Sequence, residues 1–220
     1  MTVQTCRPFA AVVFDMDGVL LDTEAVYDEC WRIEAKRLGL CGIDAVHREC
    51  LGLGMEDAVL LLNRHYGDSF DGNAFWHATD ALGVRIMQER GVPLKPLALE
   101  ILQYLSAKGY RLALASSSGH STVERMLGGA GLLHFFSVLA CGDAVKKSKP
   151  APDLYMLACK ELSCEPQTCV AVEDSPNGLA SALAAGLFCV LVPDRIPVCN
   201  ESAARAWKVC RSLSDLRTFL

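Results

Sequence analysis

The sequence predicts an α/β protein: a parallel sheet covered by helices on both faces, with a separate helical domain inserted near its start. Three observations carry that prediction. From residue 97 onward, short apolar runs alternate with helix-length amphipathic segments. The first apolar run, Phe9-Ala10-Ala11-Val12-Val13-Phe14, is a buried strand by composition and ends abruptly in Asp15-Met16-Asp17-Gly18. Between that strand and the later ones, residues 24 to 90 read as helical throughout, which is most simply a domain inserted after the first strand.

Taken in order, residues 24–38 hold no proline or glycine, and Val26, Cys30, Ile33, Ala35 and Leu38 follow a helical spacing that Gly39 ends. Helical patterns return at 55–66 and 73–90. The two prolines of Gly91-Val92-Pro93-Leu94-Lys95-Pro96 mark the linker back to the sheet. A helix at 97–108, closed by Gly109, precedes a strand at 110–115 that ends in Ser116-Ser117-Ser118-Gly119. Helices at 121–128, 153–162 and 176–185 then alternate with strands at 136–141, 169–172 and 188–192. A short strand and a last helix are expected within 209–220. The resulting domains are a Rossmann-like core, 1–22 with 91–220, and a helical domain, 23–90.

Composition excludes several classes. The 220 residues are 51% hydrophobic and 21% charged, enough for a full core. The net charge of −5 and the lack of a basic run give a nucleic-acid backbone little attraction, so no nucleic-acid partner is expected. Eleven cysteines are scattered, without a Cys-x-x-Cys pair, and read as reduced thiols rather than a zinc site. With no signal-type or membrane-length apolar segment, the expectation is a cytoplasmic monomer with no membrane partner.

The strand ends carry the chemistry. Asp15 and Asp17 follow the first strand, Ser116 the second, Gly142-Asp143 the third and Glu173-Asp174 the fourth. In a parallel sheet these ends share one edge, where ligands bind. Lys149 follows the third strand closely enough to reach the same edge. Several acids close together repel one another unless a cation neutralises them, and an all-oxygen donor set favours Mg²⁺. Carboxylates, a lysine and Mg²⁺ suit phosphoryl chemistry.

In this order the residues resemble the haloacid dehalogenase (HAD) superfamily, in its β-phosphoglucomutase-like and sugar-phosphatase branch with a helical cap. Asp-Met-Asp-Gly-Val-Leu-Leu-Asp-Thr-Glu, Leu-Ala-Ser-Ser-Ser, Ser-Lys-Pro-Ala-Pro-Asp and Val-Glu-Asp-Ser-Pro-Asn-Gly match its four motifs across nearly the whole chain. The resemblance implies that Asp15 is a nucleophile forming an aspartyl-phosphate. Asp17 would protonate the leaving oxygen and then deprotonate the attacking water. Ser116 would bind the phosphoryl group and Lys149 would hold the charges of nucleophile and phosphate together. Mg²⁺ would be held by Asp15, Asp174, the Asp17 backbone carbonyl and Glu173, the last directly or through water.

Further substrate contacts are expected from the backbone at Gly18, from Ser117 and Asn177 in the core, and from Thr23, Gly52 and Met55 in the cap, where the loop 51–57 would select substrate. Asp22 and Thr23 form the hinge into the cap. Ser117 and Ser118 are alternatively placed to cap the next helix, Ser175 reads as an N-cap before Pro176, and Asp143 reads as a turn acid. A dehalogenase lacks an acid at the place of Asp17, which argues for phosphoryl transfer. The rival is a β-phosphoglucomutase-type phosphomutase, but members of that kind place a histidine and an arginine where this chain has Tyr27 and Met55. The expected function is therefore Mg²⁺-dependent hydrolysis of a small phosphate monoester, such as a sugar phosphate.

Overall fold

The computed structural model describes residues 9–220 except Gly52, Gly54 and Asp68. In chain order the regular elements are β1 (Ala11–Phe14), α1 (Thr23–Leu38), α2 (Ile43–Cys50), α3 (Met55–Tyr66), α4 (Gly72–Arg90), α5 (Ala98–Ala107), β2 (Arg111–Ser116), α6 (His120–Gly129), β3 (Val138–Cys141), α7 (Asp153–Glu161), β4 (Cys169–Glu173), α8 (Pro176–Ala184), β5 (Phe188–Leu191), α9 (Asn200–Ala203) and β6 (Lys208–Val209). They fall into two compact units: Asp22–Pro93, and Leu94–Leu220 together with the chain up to Leu21.

The larger unit is a six-stranded sheet in the order β3-β2-β1-β4-β5-β6, with all pairs parallel. The strand order reverses between β1 and β4, the switch point at which ligands of open α/β sheets bind. Residues alternate between faces along each strand. One set, including Val13, Ala113, Ala140 and Ala171, packs under Leu154, Tyr155 and Ala158 of α7 and Leu179 and Ala182 of α8. The other set, including Val12, Phe14, Leu112, Leu114 and Val172, is also closed to solvent. Covered on both faces, the strands need no polar alternation, which is why they read as continuous apolar runs.

The smaller unit closes its own core around Trp31 and Ala35 of α1, Ile43, Val46 and Cys50 of α2, Ala58 and Leu62 of α3, and Phe75 of α4. Gly83 lets α4 approach α1, since a Cβ there would lie 2.9 Å from the Tyr27 ring. The Tyr27 hydroxyl donates to Asp80 Oδ1 at 3.1 Å within the same unit.

Three features depart from the sequence reading. Helix α2 was not separated from the helical stretch, although Ile43, Val46, His47 and Cys50 share one buried face. Helix α9 interrupts the segment after β5. The expected last helix is a 3₁₀ helix, Leu213–Thr218, held by a capping box between Ser212 and Asp215.

Candidate active site

Register places the acids. Phe14 lies opposite Leu114 on β2 and Val172 on β4, so the next residue, Asp15, comes level with Glu173 at the end of β4. The backbone N–H of Asp15 donates to the Val172 carbonyl at 3.0 Å and prolongs the ladder by one bond. The chain then turns tightly: Gly18 N–H donates to the Leu21 carbonyl, and Gly18 takes a φ of 77°. A Cβ on Gly18 would sit 2.3 Å from Asp174 Oδ2, so only glycine admits the close approach of this turn to Asp174.

Lys149 bridges the two strand ends. Its Nζ donates to Asp15 Oδ1 and to Glu173 Oε1, each at 2.6 Å. Glu173 is fully buried. Its Oε1 also accepts from the Tyr155 hydroxyl at 2.6 Å, and its Oε2 faces the Asp174 N–H at 3.3 Å and Ser175 Oγ at 3.5 Å. Gly178 in α8 makes room for this carboxylate, which occupies the space a Cβ would take. Ser175 caps α8 by accepting from Gly178 N–H, with Pro176 at the first helical position.

Around Ser116, three segments are tied together. Ser116 Oγ accepts from Ser118 N–H, Ser148 Oγ donates to Ser117 Oγ at 2.7 Å, and Gly142 N–H donates to the Ser118 carbonyl. The link from Ser148 to Ser117 joins the Lys149 loop to the serine loop. Ser117 and Ser118 do not cap α6: the N-cap is Gly119, and His120 N–H donates to both carboxylate oxygens of Asp143 at 3.0 and 3.1 Å. Asp143 is therefore a long-range cap rather than only a turn acid, a role that pairing of β2 with β3 creates and sequence spacing hides.

Electrostatics follow from burial. Removal from water pushes Asp15 up to about 7, against the lowering pull of Lys149, and it pushes Asp174 up to about 8, with the negative charges of Asp15 and Glu173 adding to the rise. Lys149 is opposed by its own burial, yet Asp15 and Glu173 outweigh that and hold it protonated. One carboxylate oxygen each from Asp15, Glu173 and Asp174 lies within 4.8 Å of the others. With all three carboxylates ionised, the one ammonium would leave two negative charges, and a hard divalent cation fits that oxygen set.

Of the remaining expected residues, Asp17 is half-buried in the turn after Asp15, bridged to Leu21, and its carboxylate is outside the acidic group. Asn177 is exposed in the first turn of α8, and Ser117 is exposed above β2. Thr23 opens α1 and Met55 opens α3, both in the smaller unit. Gly52 lies outside the described residues. Sequence reasoning missed Tyr155, whose only signal was its place in the first turn of the helix after Lys149.

A doubly wound α/β core with paired acids, a bridging lysine and a serine at its switch point defines an enzyme of hydrolytic or group-transfer type. The chain belongs to the haloacid dehalogenase-like hydrolases, whose family model matches residues 9–186, and it is a phosphatase of that family. It is 34% identical to the protein CbbY of Rhodobacter capsulatus over 90% of this chain and 92% of that one. It is 32% identical to a phosphorylated carbohydrates phosphatase of Thermotoga maritima over 80% and 82%. It also superimposes on CbbY from Rhodobacter sphaeroides, a variant in complex with xylulose-1,5-bisphosphate, with a TM-score of 0.77 at 29% identity over 94% of this chain and 96% of that one. The family implies a divalent metal, for which Asp15, Glu173 and Asp174 are the candidate ligands. Among the described residues, no helix is long and apolar enough to cross a membrane.

Proposed function

We propose that the protein is a Mg²⁺-dependent phosphatase that hydrolyses a small phosphate monoester, a phosphorylated sugar or similar metabolite, through an aspartyl-phosphate on Asp15. The observation that carries this reading is Lys149 Nζ at 2.6 Å from both Asp15 and Glu173, beside Asp174. A carboxylate attacks a phosphate dianion slowly because like charges repel, and a buried ammonium on the nucleophile offsets that repulsion.

In this reading an Asp15 carboxylate oxygen forms a bond to phosphorus while the bond from phosphorus to the ester oxygen breaks. Asp17 gives its proton to the departing alkoxide. The same Asp17 then takes a proton from water as the water oxygen attacks phosphorus and releases phosphate from Asp15. Ser116 and the backbone N–H groups after Asp15 hold the phosphoryl oxygens. Asp15, Glu173, Asp174 and the Asp17 carbonyl would hold Mg²⁺, which would supply positive charge at the phosphoryl oxygens and favour the ionised acids. Thr23, Gly52, Met55, Ser117 and Asn177 are assigned to choosing among substrates.

The names of the relatives support the substrate class: one is a phosphatase of phosphorylated carbohydrates, and one was solved with a ketose bisphosphate. The test is phosphate release from hexose, pentose, deoxy-sugar, nucleoside and glycolate phosphates with Mg²⁺ and with chelator. Release that needs Mg²⁺ and disappears in Asp15→Asn is the expected result. Turnover that survives either treatment refutes the reading.

A further inference from the structure

Tyr155 has a polar tip in the most buried layer of the core. It lies in the first turn of α7 with no exposure, among Leu154, Ala158, Leu179 and Ala182, where a phenylalanine would fill the same space. A hydroxyl in such a place is costly unless it has a partner. Its partner is Glu173 Oε1 at 2.6 Å, the same oxygen that accepts from Lys149 at 2.6 Å. A hydrogen bond of that length onto a carboxylate is charge-assisted. The Tyr155 ring, meanwhile, lies 5.2 Å from the Lys149 ammonium, so one side chain touches both partners of the ion pair.

Glu173 is thereby held at both ends. Lys149 and Tyr155 fix Oε1, while the Asp174 N–H and Ser175 Oγ face Oε2. With Lys149 as the sole donor on Oε1, only the longer contacts on Oε2, at 3.3 and 3.5 Å, would oppose rotation of the carboxylate toward the ammonium and away from its present place beside Asp15. The hydroxyl takes up the second lone pair of Oε1. Burial and the neighbouring acids push the phenol well above its ordinary range, so it remains a donor throughout the neutral region.

We propose that Tyr155 is a positioning residue of the phosphatase centre: its hydroxyl locks the Glu173 carboxylate so that Lys149 stays on Asp15 and Glu173 keeps its other oxygen beside Asp174. This rests on the reading of the centre given above. Partners that orient a metal-ligating carboxylate change metal affinity or activity by about 10–100-fold when removed.

Tyr155→Phe deletes the hydroxyl and keeps the ring, so packing and the contact with Lys149 persist. The experiment is calorimetric titration of Mg²⁺ into the protein without substrate, for wild type, Tyr155→Phe, Glu173→Gln and the double variant, with thermal midpoints of the metal-free proteins measured alongside. The expected result is a Mg²⁺ dissociation constant raised about 10-fold or more by Tyr155→Phe, with a cooperative melt retained, and no further rise when the substitution is added to Glu173→Gln. In turnover, kcat falls while KM holds. A constant within about twofold of wild type, or an equal loss in the Glu173→Gln background, overturns the role of Tyr155 alone. Wild-type protein that binds no Mg²⁺ overturns the reading of the centre itself.

Discussion

Gly142 gives the sharpest test of how the serine loop is held. A Cβ on Gly142 would lie 2.1 Å from the Ser117 carbonyl oxygen and 2.9 Å from its carbonyl carbon. Ordinary contact begins at 3.4 Å, so the two backbones must part by about 1.3 Å, the difference between 3.4 and 2.1 Å. Both opposing atoms are main chain and cannot swing aside. The Gly142 N–H is also bonded to the Ser118 carbonyl at 2.9 Å, and the separation breaks that bond. Ser116 and Ser117 move with the loop, and a misplacement of about 1 Å at a phosphate-holding group costs on the order of 100-fold in rate. Overpacking should cost a further ~1–3 kcal/mol of stability. The assay is kcat/KM of Gly142→Ala on the best monoester, with urea unfolding. Gly128→Ala is the control, because nothing lies within 4 Å of its Cβ and alanine favours a helix. Activity of Gly142→Ala within about threefold of wild type would refute the reasoning from loop geometry.

Other expectations follow from the buried charges. Lys149→Met leaves Asp15 and Glu173 without their shared ammonium; we expect a loss of about 3–5 kcal/mol at neutral pH by urea unfolding and a fall in kcat of at least ~100-fold. A stable, active variant would contradict the bridging role. Asp15 and Asp174 have folded values raised to about 7 and about 8, against ordinary values of 3.8. The folded protein thus binds more protons than the unfolded chain between those limits, so the metal-free protein should lose stability as pH rises from about 4 through about 8. Urea midpoints in chelator at about pH 5 and about pH 8 should fall with pH, and added Mg²⁺ should restore the value at the higher pH. A rise of the metal-free midpoint over that interval would show that the acids are not held protonated by burial.

Much of this architecture is legible in the sequence. Fully covered parallel strands must be apolar along their length, so Val12 to Phe14 and Val170 to Val172 announced themselves, and the acids that end them had nowhere to lie but the strand edge. That Lys149 would lie at the strand ends beside the acids was legible because its loop follows β3. The hydroxyl of Tyr155 was not, since a tyrosine in an amphipathic helix reads as core, and only the packing of α7 on the sheet brings it to Glu173. The capping role of Asp143 was hidden for the same reason: its bond to His120 spans the loops after two different strands. What Gly142 and Gly178 make room for was hidden too, because the crowding atoms of Ser117 and Glu173 lie elsewhere in the sequence. Helix α2 had the spacing of a buried face but is short and lies inside a stretch already helical on both sides.

The central claim is that Asp15 carries the phosphoryl group. In the proposed mechanism Asp17→Asn removes the acid that protonates the leaving oxygen and the base that activates water, but an aryl phosphate with a stable phenolate leaving group needs no protonation. With that substrate and Mg²⁺, Asp17→Asn should transfer phosphate to the enzyme and fail to release it. Acid quench, digestion and mass spectrometry should find one phosphoryl group on the peptide holding Asp15, and none in the Asp15→Asn, Asp17→Asn double variant. Phosphate released by the enzyme with no covalent phosphate on Asp15, or with phosphate on another residue, would contradict the account.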